Sequence, residues 1–312
     1  MRGLLLSLCL LTGVCAQPYA FISNQGDDSV SVLDTKHDEV IKTISVGREP
    51  AGIAVSADGK YCFVSNPGSA EITIIDAQSL HVIGSFTAGI SPMGIALDSS
   101  ARRLFVADWH QHLIRIYDVV TQQLIGQIKV GKSPAGIIIS PDDAYIFTAN
   151  RDSNSVSVIN SATMQVVKSI GVGNKPFGVA LDPEGRYLFT ANVMSNNISV
   201  INTMTLQVER TVEVGAKPYA IAVGDKNIYV SNQYDDSVSV ISRDNWRELK
   251  RITVGSFPEG LMVHPDRQRL YVANWFDNTV SVINLSTLLM EKTIHTAEGS
   301  RAFGLFILRA HP

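Results

Sequence analysis

The chain has 312 residues, of which 45% are hydrophobic and 18% are charged, and its 26 basic and 29 acidic residues leave a formal charge of -3. This near-neutral balance gives no bulk attraction for nucleic acid or for an anionic membrane, so either kind of binding would need a local patch. Only one of the three cysteines, Cys62, lies beyond the first sixteen residues. An intramolecular disulfide in the remaining chain is thereby excluded, and stability must come from burial over a large domain.

The first sixteen residues differ from everything that follows. Met1 and Arg2 give a positive start, an apolar run extends from Leu4 to Leu11, and Ala16 ends a small-residue cleavage site. This pattern predicts a secretory signal peptide over residues 1–16, too short to anchor the protein across a bilayer. We therefore expect an exported protein, periplasmic or extracellular, without a membrane span. A hydrophobic N-terminal strand is the alternative interpretation.

A four-residue phrase then recurs seven times, as an aromatic residue, two small or β-branched residues and Asn or Asp. The phrases are Phe21–Asn24, Phe63–Asn66, Phe105–Asp108, Phe147–Asn150, Phe189–Asn192, Tyr229–Asn232 and Tyr271–Asn274. Their spacing is 42 residues throughout, except for one interval of 40. A fixed period of this length is typical of a repeat array whose units bury their apolar faces against one another.

Residues 134–173 are the clearest repeat. They contain four short runs rich in β-branched residues, separated by Pro, Gly, Asp and Asn turns, with no helical periodicity. Such a unit is a four-stranded antiparallel propeller blade. The chain supplies seven such blades in one all-β domain, residues 17–312. A first-strand signal without its own blade, Gly304–Ile307, is expected to pair with the N-terminal strand from Tyr19 and so close the ring.

These residues carry a family resemblance over nearly the whole mature chain. The phrase Tyr/Phe-Val-Ser/Ala-Asn, the following Val-Ser-Val-Ile and the later Val-Gly-x-x-Pro-x-Gly resemble the YVTN-type β-propeller repeat family of exported bacterial and archaeal proteins. Its relatives include amine dehydrogenase large subunits, haem-binding nitrite reductase propellers and propeller lactonases. The resemblance implies the fold, and leaves binding, cofactor handling and catalysis open.

Residues that recur once per blade are interpreted as structural. The asparagines are expected to cap the loop that follows them, as in an Asx turn. Turn aspartates such as Asp58 and Asp142 are turn formers rather than an acid–base pair. His37, His81 and His264 lie near turns and are expected to be solvated.

Binding residues are sought where the repeats differ. Loops after the second and fourth strands emerge on one face, around the mouth of the central channel, where propellers commonly hold ligands. Large and charged side chains vary there, including the aromatics Tyr234 and Phe276. The candidate ligand-binding residues are Trp109, Arg151, Lys175, Phe177, Lys217, Tyr219, Glu259, Trp275, Arg301 and Phe303. Whether the aromatic members plug the channel is left open.

Three departures from the repeat stand out. Asp108, His110 and His112 form a weak candidate metal site, because imidazole and carboxylate ligate zinc or copper but no distant ligand is evident. Two extra residues are assigned to the loop Thr296–Ser300, which places Arg301 where other blades have the residue before proline. A turn shortened by two, Gly224–Asn227, on the opposite face is interpreted as trimming.

Two functions compete. The first is a monomeric, non-enzymatic binding or scaffold protein that uses the loop face for a protein partner or a small anionic ligand. Single-stranded nucleic acid fits the cations and aromatics of that face but is not favoured. The second is an enzyme or oxidoreductase accessory protein that holds a metal, quinone or haem-like cofactor at the channel mouth. The first is preferred because the chain has no nucleophile elbow, phosphate loop, haem attachment motif or carboxylate dyad, and no cofactor is predicted.

Overall fold

The computed structural model describes residues 19–308, so the predicted signal peptide lies outside the described residues. These residues form seven antiparallel sheets arranged as a seven-bladed β-propeller, as predicted. A 3-10 turn at Arg151–Ser153 is the single helical element assigned between residues 19 and 308. No helix in this range is long and apolar enough to cross a bilayer.

Apart from the closing strand, the strands of each blade are consecutive in the chain. Blades 1 to 3 contain Tyr19–Asn24 (β1), Ser29–Asp34 (β2), Glu39–Ser45 (β3); Gly52–Val55 (β4), Tyr61–Asn66 (β5), Glu71–Asp76 (β6), His81–Thr87 (β7); Pro92–Leu97 (β8), Arg103–Asp108 (β9), Leu113–Asp118 (β10), Leu124–Lys129 (β11). Blades 4 and 5 contain Pro134–Ile139 (β12), Tyr145–Asn150 (β13), Ser155–Asn160 (β14), Gln165–Gly171 (β15); Pro176–Leu181 (β16), Tyr187–Asn192 (β17), Asn197–Asn202 (β18), Gln207–Glu213 (β19). Blades 6 and 7 and the closing strand contain Pro218–Val223 (β20), Asn227–Asn232 (β21), Ser237–Ser242 (β22), Glu248–Thr253 (β23); Pro258–Val263 (β24), Arg269–Asn274 (β25), Thr279–Asn284 (β26), Leu289–His295 (β27); Phe303–Leu305 (β28).

The core lies between the blades. The aromatic residue that opens each repeated phrase is buried in all seven blades, and the β-branched residues of the second and third strands surround it. Each third strand pairs with its fourth strand across a register shift, for example between Val158 and Ile159. Such a bulge increases the local twist, which lets neighbouring sheets pack face to face around the axis.

The repeated asparagines are structural, but their bonds differ from the predicted loop cap. The amide of Asn150 donates to Ser155 Oγ at 3.1 Å and to Ser157 Oγ at 2.9 Å, both on the neighbouring strand β14. The same pair of bonds joins Asn232 to Ser237 and Ser239. A buried amide needs such partners, so each one fastens the second strand of its blade to the third.

Ring closure follows the predicted route. Phe21 N donates to Phe306 O at 2.8 Å, and Leu308 N donates to Tyr19 O at 2.9 Å, which joins the two ends of the chain in blade 1. The short strand β28 also pairs in parallel with β4 of blade 2. On the other side, Gly260 N of blade 7 donates to Arg301 O at 2.9 Å. The C-terminal segment therefore bonds to both neighbouring blades and leaves no open gap between the first and last blades.

His264 is buried, so the expectation that it is solvated is wrong. Its Nε2 lies 2.9 Å from Thr35 Oγ1, and its Nδ1 lies 2.9 Å from Asp266 Oδ2. Burial lowers the pKa of His264, with Asp266 opposing the shift. The unfolded chain therefore binds a proton more readily than the folded one.

This burial predicts a stability that declines in acid. The contribution of neutral His264 is complete above the imidazole pKa of the unfolded chain, about 6.5, and is lost as the pH falls towards the folded-state pKa. His264→Ser would copy the Ser140-Pro-Asp turn of blade 4 and should reduce that pH dependence. Urea midpoints measured at about pH 5 and pH 7.5 test this. Equal pH slopes for both proteins would contradict it.

Candidate functional site

The residues that follow the prolines form a ring around the channel mouth. A Cβ added to Gly94 would lie 2.1 Å from Ala135 O, and one added to Gly178 would lie 2.5 Å from Tyr219 O. The inner strands of adjacent blades approach so closely that glycine occupies the entry position in blades 2 to 5 and in blade 7, whereas blade 6 has Ala220 there. The loops named in the prediction do share this face, since Arg151 N donates to Ser133 O at 3.0 Å.

The two extra residues of the last repeat lie at a different position from the one predicted. Gly299 N donates to Asn278 Oδ1 at 2.7 Å, as Lys175 N does to Asn154 Oδ1 at 2.9 Å, and both pairs are 21 residues apart. The loop Thr296–Ser300 therefore has the ordinary length, and its assignment as the insertion is wrong. The extra residues follow Ser300. Arg301 thus occupies the ring position itself, and Phe303 is an additional side chain at the mouth.

Arg301 is held by two neighbouring blades. Its Nε donates to Glu259 Oε2 at 2.5 Å, and its Nη2 donates to Tyr219 Oη at 2.6 Å. Gln233 Nε2 donates to the other carboxylate oxygen at 3.0 Å. Glu259 is only 3% exposed. The four side chains form one buried polar network at the end of the channel.

The electrostatics of this network are set by burial and by mutual charge. Burial raises the pKa of Glu259, while the charge of Arg301 opposes that rise. Burial disfavours the charged form of Arg301, but Glu259 beside it raises the pKa of the guanidinium. Arg301 therefore stays charged, and its charge limits the rise in the pKa of the buried carboxyl group of Glu259.

Aromatic side chains close the channel mouth beside this network. The rings of Phe177 and Tyr219 stack at a centroid distance of 4.1 Å, and Phe303 lies 5.1 Å from Phe177. All three are no more than 6% exposed. Trp109 lies 6.1 Å from Phe177, and the guanidinium of Arg151 lies 5.8 Å from the Trp109 ring. Seven of the ten predicted ligand-binding residues thus come together as a packed, mutually bonded plug.

The remaining three predicted residues are not packed in the plug, although Lys175 is linked to its edge through Asp152. Lys175 Nζ donates to Asp152 Oδ1 at 2.9 Å, and Arg151 shares that carboxylate at 3.2 Å. Lys217 Nζ lies 2.8 Å from Met194 Sδ. Trp275 belongs to a separate group of rings.

That group is an aromatic cluster of Tyr234, Phe257, Trp275 and Phe276, on the loops of blades 6 and 7. Phe257 is its centre, with ring centroids 5.6 Å from Tyr234, 5.6 Å from Trp275 and 4.7 Å from Phe276. Tyr234 is 68% exposed and Phe276 is 60% exposed. Phe257 was missed as a candidate, although it is the one aromatic residue before a proline of the repeat and could have been found by comparing that position between blades.

The structure does not assemble Asp108, His110 and His112 as a metal site. Within residues 19–308 no three His, Cys, Asp or Glu side chains are grouped to hold a metal ion. Asp108 is buried, and its Oδ2 accepts Arg115 Nε at 3.0 Å and Ile90 N at 3.0 Å. Arg115 occupies the place of the hydroxyl residue that meets Asn in other blades. Blade 3 therefore has an ion pair, Asp108 with Arg115, where other blades have a neutral pair of Asn and a hydroxyl residue.

His112 has a structural role of the same kind. Its Nδ1 accepts the N–H of Ser133 at 3.1 Å, as Asn154 Oδ1 accepts that of Lys175 in the next blade. His112 also has a positive φ of 59°, like Asn154 at 51°. The imidazole thus replaces an Asn in the inter-blade tie, whereas His110 is exposed.

The shortened turn Gly224–Asn227 changes the opposite face. It leaves a shallow cleft against blade 7, bordered by Tyr229, Arg267 and Asn284. Arg267 is 3.6 Å from Asp225 across this cleft. The trimming therefore alters the local surface without disturbing the strands on either side.

The fold and the repeat-wide ties define the class as a seven-bladed β-propeller. Two segments, residues 11–145 and 216–300, match the profile of the YNCE-like beta-propeller family, and together they make up more than half of the chain. The chain belongs to this family. Residues 120–213 also match the profile described as lactonase, 7-bladed beta-propeller. No curated protein is significantly similar in sequence.

Solved structures of similar shape include proteins with different activities. Hydrazine synthase of Kuenenia stuttgartiensis aligns with a TM-score of 0.78 and 22% identity, over 91% of this chain and 99% of that one. A functionally unknown protein from Desulfotomaculum acetoxidans aligns with a TM-score of 0.82 and 16% identity, over 94% and 99% of the two chains. The dihydro-heme d1 dehydrogenase NirN aligns with a TM-score of 0.71 and 14% identity, over 91% and 74%. At these identities the likeness is one of fold.

Proposed function

We propose that this protein is an exported, non-enzymatic propeller that binds a protein partner through the loop face of blades 6 and 7. The observation that carries the proposal is the aromatic cluster. Exposed aromatic residues are enriched at the cores of protein interfaces, where their burial dominates the binding energy. Export is supported by the signal-peptide pattern of residues 1–16 alone.

The channel mouth is less suited to a ligand than the sequence pattern indicated. Phe177, Tyr219 and Phe303 pack against one another there, and Arg301 is already bonded to Glu259 and Tyr219. A cofactor or small anion would have to displace these side chains before it could bind. The similarity to hydrazine synthase and NirN supports the shared fold and adds no argument for a cofactor in this chain.

The test compares two doubly substituted proteins. Tyr234→Ser with Phe276→Ser removes the exposed rings, and Val120→Ser with Met204→Ser is the matched control. Val120 is 84% exposed and Met204 is 89% exposed, both in turns of the opposite face. Because all four side chains are exposed, each pair should change the free energy of unfolding by less than about 1 kcal/mol.

Quantitative mass spectrometry of material purified from the producing cells gives the readout. A partner present in near-stoichiometric amount should accompany the wild-type and control proteins and be lost from the Tyr234→Ser, Phe276→Ser protein. Hot-spot aromatic residues each contribute about 2 kcal/mol or more, so the loss should be at least tenfold. Equal recovery with all three proteins would exclude the loop face of blades 6 and 7 as the binding surface.

A further inference from the structure

The charges that border the aromatic cluster are mainly carboxylates. Asp235 follows Tyr234 in the sequence and Asp277 follows Phe276, and both are exposed. Asp236, also exposed, accepts the N–H of Phe257 through Oδ1 at 2.8 Å. Glu298, also exposed, is on the adjacent loop. Its neighbour Gly299 is close to Trp275, because a Cβ added to Gly299 would be 3.2 Å from Trp275 Nε1, while the Glu298 side chain lies over Gly26. The loops that carry the four rings, together with the adjacent loop, thus bear four exposed acidic residues: Asp235, Asp236, Asp277 and Glu298.

Few cations offset these charges. Arg251 and Lys217 are nearby cations among the described residues. Arg251 is divided between Asp235 at 3.3 Å and Glu248 at 3.0 Å, and Lys217 Nζ lies 2.8 Å from Met194 Sδ. Arg151 and Lys175 lie instead around Asp152, on the loops of blades 4 and 5. The two sides of the loop face therefore carry opposite charges. The side on blades 6 and 7 is acidic and aromatic, and the side on blades 4 and 5 is basic.

Aromatic rings combined with carboxylates favour cationic groups. The face of an aromatic ring attracts a cation, and arginine does so best because its flat guanidinium stacks while its N–H groups donate to carboxylates. Single-stranded nucleic acid fits less well, because its phosphates would meet the carboxylates. The rings also pack on each other, with Trp275 only 4.6 Å from Phe276, rather than standing apart as separate platforms for bases.

We infer that the occupant of the aromatic cluster is a basic, arginine-bearing polypeptide segment of a partner protein. This inference rests on the proposed function and specifies the chemistry of the partner. Glu298 and Asp277 are the carboxylates that select for positive charge. Tyr234 and Phe276 supply the ring surface over which the guanidinium groups lie.

Calorimetric titration of the full chain tests this with three probes of equal length: an arginine–glycine repeat peptide, a glutamate–glycine repeat peptide and oligothymidine DNA. The arginine peptide should bind at least about tenfold more tightly than either other probe. Its affinity should fall as the salt concentration rises, because exposed charges are screened. Stronger binding of the DNA or of the glutamate peptide would overturn the inference, as would absence of binding by the arginine peptide.

Charge-neutralising substitutions locate the binding. Glu298→Gln with Asp277→Asn keeps the shape and the acceptor for Ser256 N, and should weaken the arginine peptide about tenfold. Glu39→Gln with Asp225→Asn removes the same charge from the opposite face and should leave the affinity unchanged. Equal weakening by both pairs would show a bulk charge effect and contradict the inference. If the cellular partner still requires Tyr234 and Phe276 while the arginine peptide does not bind, the chemistry fails and the proposed function stands.

Discussion

Replacing Arg301 by Met is expected to lower the free energy of unfolding by about 3–5 kcal/mol, because it leaves the carboxylate of Glu259 buried without its cation. Tyr219 loses its partner at the same time. The variant should also have a stronger pH dependence of stability than the wild-type protein. With Arg301 absent, the pKa of Glu259 rises further. The folded state is then more stable when Glu259 is protonated, which is the case at low pH.

The sign of that dependence follows from the raised pKa. A carboxyl group with a folded-state pKa above its unfolded value stabilises the folded state at low pH and loses this contribution as the pH rises through the folded pKa. Arg301→Met should therefore lose more stability at about pH 8 than at about pH 5. Urea midpoints at both pH values provide the measurement.

A double replacement is the control for Arg301. Glu259→Met together with Arg301→Met removes both charges and fills similar volume, and should recover most of the lost stability. Gln233, which donates to Glu259, then loses a partner, so recovery should be incomplete by about 1–2 kcal/mol. If the double variant is no more stable than Arg301→Met alone, the two side chains do not act as a pair.

The second large effect is expected at Asp108. Asp108→Asn should destabilise the protein by about 3 kcal/mol, because the mostly buried side chain of Arg115, which is 14% exposed, loses its counter-charge. Arg115→Ser should act in the same direction, since it leaves the carboxylate of Asp108 with backbone donors only. Either loss would appear as a lower midpoint in urea unfolding.

Combining the two changes should rescue the blade. The double variant Asp108→Asn with Arg115→Ser would recreate the amide–hydroxyl pair seen between Asn150 and Ser157, so its stability should lie within about 1 kcal/mol of the wild-type protein. His112→Ala provides a comparison that removes only the tie to Ser133. Additive losses in the double variant would show that Asp108 has a role beyond this pair.

The fold was predictable because the sequence of each repeat specifies the strands and turns of its own blade. The phrase ending in Asn150 and the alternating Ser155–Asn160 segment specify the hairpin and its register without reference to other blades. Closure was predictable for the same reason, since Gly304–Ile307 had no blade of its own. The register of the last turn was not predictable, because locating the two extra residues depends on the bond from Gly299 to Asn278 Oδ1.

The sequence indicated which residues lie at the channel mouth better than how they are arranged there. Comparison of the repeats predicted that Phe177, Tyr219, Glu259 and Arg301 lie at one end of the channel, and the structure places them there. Sequence comparison could not show that these side chains satisfy one another, because their bonds cross blades that are 42 or more residues apart. Asp108 and His112 were misleading for a related reason. Each replaces the usual residue in a hydrogen bond that recurs in other blades, and this role can be recognised only from the bonding partner.

A benzophenone cross-linker incorporated in place of Phe276 would report directly on whether a protein partner occupies the aromatic cluster. The same group in place of the exposed Met204, on the opposite face, is the control. Irradiation of producing cells should join the protein at position 276 to one main polypeptide, whose contacted segment is rich in arginine or lysine, and position 204 should give no such product. Cross-linking of the same polypeptide from both positions, or from position 204 alone, would contradict a binding surface on the loops of blades 6 and 7.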